Sequence, residues 1–257
     1  MSTSTLTHPS FAADAAQPFD TAVRDRFLRD GFLRLDNVID DDEIARLGEL
    51  YDKLFADDRL GASYRKDLGG GDDDGRKTLP QILMPSKTFP ELLEMQYVQR
   101  VREFATHILG QEIRKFGEHM ILKPAGYGVA TPWHQDQSYH SPDKLHRTVN
   151  FWLPLDGATV EGGCMHFVRG SHRGVVVPHE FLVPGDRDSA MVAQDQNYWS
   201  LNGTPVPCPR QSCTLHHSYC MHYAGPNTSD LDRRAFIIVF GLEPEPLEQP
   251  YVFPWRA

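Results

Sequence analysis

The sequence predicts a mainly β protein with flanking helices, folded as a jelly roll, and three observations carry that expectation. Up to about residue 110 the apolar residues recur at helical spacing; beyond about 115 the pattern changes to short strand-like runs. Those runs are separated by Gly, Pro and Asn turns, the punctuation of sheets that fold back on themselves. A length of 257 residues, 40% apolar and 24% charged, suffices for one large core and calls for no second domain.

The expected organisation is a disordered leader over 1–18 and a single domain over 19–257. Within the domain, a helical part reaches to about 110, a β core occupies about 115–242, and a Pro-rich tail covers 243–257. Asp20 is placed to cap a short helix with Val23, Phe27 and Leu28 on one face and Gly31 as its stop. Phe32-Leu33-Arg34-Leu35 reads as a short strand. Asp40 followed by Glu43 starts a second helix in the manner of a capping box, with Ile44, Leu47, Tyr51 and Leu54 at helical spacing. Asp67 to Arg76 is a Gly/Asp-rich run that no regular element accommodates. It reads as an acidic surface loop or as a lid over a pocket; Asp72, Asp73 and Asp74 lack an EF-hand pattern and are read as solvated. From Phe89 to Leu109 the positions Leu93, Tyr97, Val101, Phe104 and Ile108 predict one long helix, stopped by Gly110.

Strands are then expected at 117–123, 147–154, 164–168, 175–178, 212–216, 220–223 and 233–241. The tail, with Tyr251, Phe253 and Trp255, is expected to pack back on the barrel or to help cover a pocket.

A net charge of −9 argues against nucleic acid or an anionic membrane surface as partner, since both are bound through an excess of Lys and Arg. No stretch approaches the length of a membrane-spanning helix. The first twenty residues hold no Lys or Arg, which speaks against a secretory signal or an Arg-rich transit peptide. The four cysteines, Cys164, Cys208, Cys213 and Cys220, form no C-x-x-C pair and read as free thiols of a reducing compartment, so a cytoplasmic location is expected.

Function is concentrated in Pro132-Trp133-His134-Gln135-Asp136. In an extended segment residues i and i+2 share a face, so His134 and Asp136 can offer a nitrogen and an oxygen to one ion. A lone His-x-Asp is a common accident among 12 histidines and 35 acidic residues. Its company raises it. His222 supplies a third ligand, and two His with one carboxylate is the ligand set of non-haem Fe(II) oxygenases. Eleven residues after His222 stands Arg233, at the mouth of the apolar run to Gly241; an arginine there is costly to bury without an anion.

His134-Gln135-Asp136, the phrase from Glu161-Gly162-Gly163 to Gly170-Ser171-His172, His222 and Arg233 together resemble the phytanoyl-CoA dioxygenase family of Fe(II)/2-oxoglutarate oxygenases, from roughly Phe19 to Leu242. The resemblance implies a double-stranded β-helix of cupin type. It implies Fe(II) held by His134, Asp136 and His222, and 2-oxoglutarate chelating it through its C1 carboxylate and C2 ketone, with a position left for O2. The C5 carboxylate is expected on Arg233 rather than Arg234, whose side chain points to the other sheet face. Trp152, Gln81 and His119 match positions that contact the cosubstrate, although Trp152 reads equally as a core aromatic. Tyr139, Lys123 and Asn150 are expected on the substrate side, with His140 and the His166, Arg169 and His172 group as further candidates. His172 reads rather as part of a turn; one of His216 and His217, close to the site in sequence, is expected to face the cavity, although neither fits the ligand spacing.

Two departures stand out. Relatives often carry a Ser two residues after the second ligand His, where its hydroxyl helps hold the C5 carboxylate; here the residue is Ala224, so another hydroxyl or water must serve. Glu161-Gly162-Gly163 stands where Glu-Asn-Gly is common. The expected activity is oxidation of a C–H bond of a small organic metabolite, plausibly in specialised metabolism, with release of succinate and CO2; ascorbate supports such activity. Retention of Asp136 favours hydroxylation over halogenation, while desaturation, cyclisation, epimerisation and endoperoxide formation use the same site. A zinc-type hydrolase would use the same three ligands but leave Arg233 idle. A silent jelly-roll binding protein would have no need of the intact ligands. The chain is expected as a monomer or homodimer.

Overall fold

The computed structural model describes residues 12–15 and 19–256. Most of the expected disordered leader lies outside those residues. Ala12–Asp14 is a correction to it: these residues form a strand, β1, parallel to β2, Phe32–Asp36. An open sheet edge offers unpaired backbone groups, and β1 takes them up.

Helix α1, Thr21–Asp30, is capped by the Asp20 carboxylate, which accepts from the Ala22 N–H at 2.9 Å. It ends on Gly31, whose φ of 85° a side chain would oppose. Val23 and Phe27 face the core; Leu28, one position on and a hundred degrees round, is exposed instead. Helix α2, Asp41–Ala56, starts as expected, with Asp40 accepting the Glu43 N–H at 2.8 Å. The Glu43 carboxylate does not close the box. It accepts the Tyr97 N–H, tying α2 to the first turn of α3, Gln96–Leu109. The single helix expected over Phe89–Leu109 is two pieces: a 3-10 turn, Pro90–Glu94, and α3, broken at Met95, whose ψ of 140° is extended. The break shifts the phase, burying Leu92 and leaving Leu93 exposed.

A hairpin follows α2, Arg65–Asp67 (β3) with Pro80–Leu83 (β4), which the sequence pattern did not disclose. The Gly/Asp-rich run between them is held by its own carboxylates. Asp67 accepts the N–H groups of Thr78 and Leu79, and Asp72 accepts those of Asp74 and Arg76. Next come β5 (Lys115–Lys123), β6 (Thr131–His134), β7 (Lys144–Leu145), β8 (Thr148–Pro154) and β9 (Met165–Phe167). The strand expected over 175–178 is absent; Val177 N–H is spent on the Gln135 side chain, and the strand starts beyond Pro178 as β10, His179–Phe181, pairing with β11, Met191–Ala193. Helix α4 (Gln196–Asn202) and β12 (Thr204–Val206) were not foreseen. The chain continues through β13 (Cys213–His217), β14 (His222–Ala224), β15 (Arg233–Gly241) and β16 (Glu245–Pro246).

Two sheets make the β core. The larger runs β1-β2-β13-β8-β15-β5-β4-β3 and the smaller β12-β9-β14-β6. Strand alternation divides the larger sheet cleanly. Val149, Phe151, Leu153, Phe236, Ile238 and Phe240 point outward, under Phe27, Leu47, Tyr51, Leu54, Tyr97 and Val101 of the helices. Each such burial contributes about 1.5–3 kcal/mol. The alternate residues, among them His119, Asn150, Trp152, Arg233 and Ile237, point inward toward the smaller sheet. This is the jelly roll the sequence predicts. No helix among the described residues is long and apolar enough to cross a membrane.

Candidate metal centre

Strands β6 and β14 pair antiparallel with His222 directly opposite His134, so the two imidazoles emerge side by side, ring centroids 4.1 Å apart. Gln135 stays extended before the chain turns at Asp136, which keeps the His134 and Asp136 side chains on one face. Nε2 of each histidine lies 3.6 Å from Asp136 Oδ1, and the three ligand atoms sit within 4.8 Å of one another.

Both histidines are oriented by the same local device. His134 Nδ1–H donates to the Pro132 carbonyl at 2.8 Å and His222 Nδ1–H to the Cys220 carbonyl at 2.9 Å, each two residues back. The proton is thereby held at Nδ1, and the Nε2 lone pairs face the common point. Burial, with the neighbouring His134 and His216, keeps His222 well below the usual histidine range and hence neutral. Burial alone would raise Asp136, but the surrounding imidazoles of His222, His134 and His216 outweigh it and hold the carboxylate well below its ordinary value. A deprotonated oxygen and two unprotonated nitrogens fit a divalent cation.

The surrounding scaffold explains the sequence phrases. β6 is the edge of the smaller sheet, and the Gln196 side chain of α4 closes that edge, accepting the Trp133 N–H and donating to the Trp133 carbonyl. Gln135 is spent on backbone: it donates to Val175 and Tyr219 carbonyls and accepts the Val177 N–H. Gly163, at φ 75°, packs so close that a Cβ would stand 2.4 Å from the Gly225 carbonyl, moulding the turn after His222. Ser171 accepts the Met221 N–H at 2.9 Å, holding the residue before His222. His172 donates to the Leu28 carbonyl and Arg169 pairs with Asp30. Neither residue reaches the centre, and His166 lies against Trp133 and Tyr223 outside it. In the tail, Tyr251, Phe253 and Trp255 stack in series. Trp255 donates to the Ser138 carbonyl, so the tail braces the Asp136 loop from behind.

The cavity over the three ligands measures about 430 Å³. Arg233, Trp152, Gln81 and His119 all line it, and burial takes His119 down to about 4, leaving it neutral. Arg233 is 4% exposed, and its Nε and one terminal nitrogen have no hydrogen-bond partner. Its guanidinium stands 5.2 Å from the Trp152 ring. Burial lowers it to about 10, so it stays charged at neutral pH. Arg234, on the other face, is spent on Asp52 and Asp156. A buried cation with free donors in a cavity wall fits an anionic ligand group.

Tyr139 and His140 line the same cavity, Tyr139 accepting the Met191 N–H at 2.7 Å. Lys123 is a correction. It does not reach the cavity; its fully buried Nζ donates to the carbonyls of Ala224 and Gly225, so it supports the turn after His222. Asn150 lines the cavity, but its amide is spent on Asp136. Of His216 and His217 it is His216 that faces the cavity, donating to Asp136 at 3.0 Å. Two features escaped the sequence reading: Thr131, which lies across the strand pair from Ala224 and lines the cavity, and the polar rim at the mouth. Lys66 of β3 and Asp188 of the β10–β11 loop pair at the mouth, with Leu68 and Arg187 beside them. The pairing of the two histidines does not give Thr131: regular register would set Pro132 opposite Ala224, and a register shift between His222 and Ala224 brings Thr131 there instead.

A family model described as phytanoyl-CoA dioxygenase matches residues 27–235. The phytanoyl-CoA dioxygenase domain-containing protein 1 homolog of Caenorhabditis elegans is 24% identical over 84% of this chain and 88% of its own. A probable alpha-ketoglutarate-dependent hypophosphite dioxygenase of Stutzerimonas stutzeri is 24% identical over 82% of this chain and 75% of its own. Among solved structures, EvdO2 from Micromonospora carbonacea var. aurantiaca superposes with a TM-score of 0.82 at 36% identity, covering 93% of this chain and 97% of that one. It has also been crystallised with 2-oxoglutarate. With fold, ligand cluster and family model in agreement over most of its length, the chain belongs to the phytanoyl-CoA dioxygenase family of Fe(II)- and 2-oxoglutarate-dependent oxygenases.

Proposed function

We propose that the protein oxidises a C–H bond of a small organic metabolite, by hydroxylation, with His134, Asp136 and His222 as the Fe(II) ligands and Arg233 as the anchor of 2-oxoglutarate. The observation that carries this reading is the buried, partly unpaired guanidinium of Arg233 in the wall of the cavity that holds the three ligands. Bound Fe(II), with 2-oxoglutarate and O2, supplies the oxidation of the C–H bond as the cosubstrate becomes succinate and CO2. The chain does the rest. Arg233 takes the distal carboxylate, in a dry site where the ion pair is strong. Thr131 offers the hydroxyl that Ala224 lacks. Trp152 packs beside the guanidinium, and Gln81 and His119 complete the polar wall. Ile121, Ile237 and Val239 exclude water around them.

The substrate enters between Lys66, Arg187 and Asp188 on one side and Tyr139 and His140 on the other, over the end of the cavity nearer solvent. Leu68, the second residue of the Gly/Asp-rich run, belongs to this rim, which supports the lid reading of that segment. A zinc hydrolase needs no buried cation there, so Arg233 favours the oxygenase. All four cysteines are free and buried, which fits the reducing cytoplasm.

The test is succinate formation from 2-oxoglutarate under air with Fe(II) and ascorbate, across a panel of small metabolites. Turnover that needs iron, rises with one compound and is lost in His134→Ala and Arg233→Ala supports the assignment. Tight zinc with no iron-dependent succinate, even uncoupled, would sink it.

A further inference from the structure

The Asp136 carboxylate has two oxygens with different company. Oδ1 faces the two ligand imidazoles, 3.6 Å from each Nε2. Oδ2 accepts from His216 Nε2–H at 3.0 Å and from the Asn150 amide, two donors that converge on one atom and stand 3.3 Å apart. They are a cross-strand pair, Asn150 on β8 directly opposite His216 on β13, both on the inward face of the larger sheet. The ligands come from the smaller sheet and its loop. Both donors are buried, and the His216 ring is wedged between Phe167 and His222, at centroid distances of 5.4 and 4.2 Å. His216 Nδ1 and Asn150 Oδ1 have no partner, so neither residue is held by a competing bond at its other polar atom.

Resting on the iron reading above, we infer that Asn150 and His216 are positioning residues that confine Asp136 to coordination through Oδ1 alone. An oxygen that already accepts two hydrogen bonds has its lone pairs engaged, so the carboxylate offers the ion one atom rather than two. A chelating carboxylate would occupy a further coordination position, one that cosubstrate and O2 require. His216 therefore stands outside the ligand set although its ring lies beside it, because Nε2 carries the proton that it gives to Asp136. The smaller sheet brings the ligands, and the larger sheet sets how the acidic one binds.

The experiment is anaerobic titration of the full chain with Fe(II) alone, followed by the visible charge-transfer absorption on adding 2-oxoglutarate. The wild type is compared with Asn150→Leu, His216→Phe, His216→Gln and His134→Ala, with thermal midpoints recorded for all. Removing either donor is expected to weaken Fe(II) about 10–100-fold and to move the absorption band. His216→Gln, whose amide reaches the same oxygen, is expected to recover most of the affinity and the band position. Unchanged binding and an unmoved band in Asn150→Leu and His216→Phe would overturn the inference, as would a Gln variant no better than Phe at equal thermal midpoint. Failure of the wild type to bind Fe(II), with His134→Ala no different, is a separate result and removes the iron reading itself.

Discussion

The two sheets of this protein are built by different means. The larger has strands of seven and nine residues at its centre, apolar on the face that packs against the helices, and helical cover from α1, α2 and α3. The smaller has strands of three or four residues, and its register depends on particular side chains: Gln196 on its edge, Ser171 beside Met221, and Gly163 under the turn after His222. Burial holds the first, specific hydrogen bonds and close approach the second. The cavity lies between them, with the proposed metal ligands on the side that is held by detail and the proposed anion anchor, Arg233, on the side that is held by bulk.

That contrast predicts how each region fails. His134→Ala, on the smaller sheet, is expected to abolish iron-dependent succinate formation while leaving the thermal midpoint close to that of the wild type; a parallel collapse of both would merge the two regions into one. Arg233→Ala is expected to raise the dissociation constant for 2-oxoglutarate roughly 100-fold or more, since breaking a buried charge pair costs about 3–5 kcal/mol. Calorimetry on the Fe(II)-loaded protein measures it. Phe236→Ala, in the helix-facing layer and 6.4 Å from the Tyr97 ring, is expected to cost about 3–5 kcal/mol of stability in denaturant unfolding, with activity per folded molecule retained. Thr131→Val removes one hydroxyl. It is expected to weaken 2-oxoglutarate about two- to tenfold, the worth of a single hydrogen bond, and Ala224→Ser in that background is expected to restore it.

What could be read in the sequence follows the same division. The run 233–241 is an uninterrupted apolar strand, and it forms as expected, because burial leaves a periodic trace. His134, Asp136, His222 and Arg233 stood out through spacing, and the structure brings all four to one cavity. The smaller sheet was harder. Three-residue strands carry too few residues for periodicity, so β12 left no signal; nor did β11 of the separate β10–β11 pair, ahead of which 175–178 reads as a strand. Lys123 shares the inward alternation of His119 and Ile121 on β5, yet it sits at the strand end, where the Ala224–Gly225 turn passes over it and claims its ammonium. One of His216 and His217 reads as facing the cavity without being a ligand, and it is His216. Its role through Asp136 depends on the partner strand, which no local pattern discloses.

In the proposed function the two sheets complete one site, the smaller holding iron and the larger the carboxylate anchor. Anaerobic titration calorimetry of 2-oxoglutarate tests it most directly, on the wild type with and without Fe(II) and on Arg233→Ala with Fe(II). Strong binding only when both the metal and Arg233 are present is the predicted result. Equal affinity in the absence of the metal, or in the Arg233→Ala protein, would contradict it.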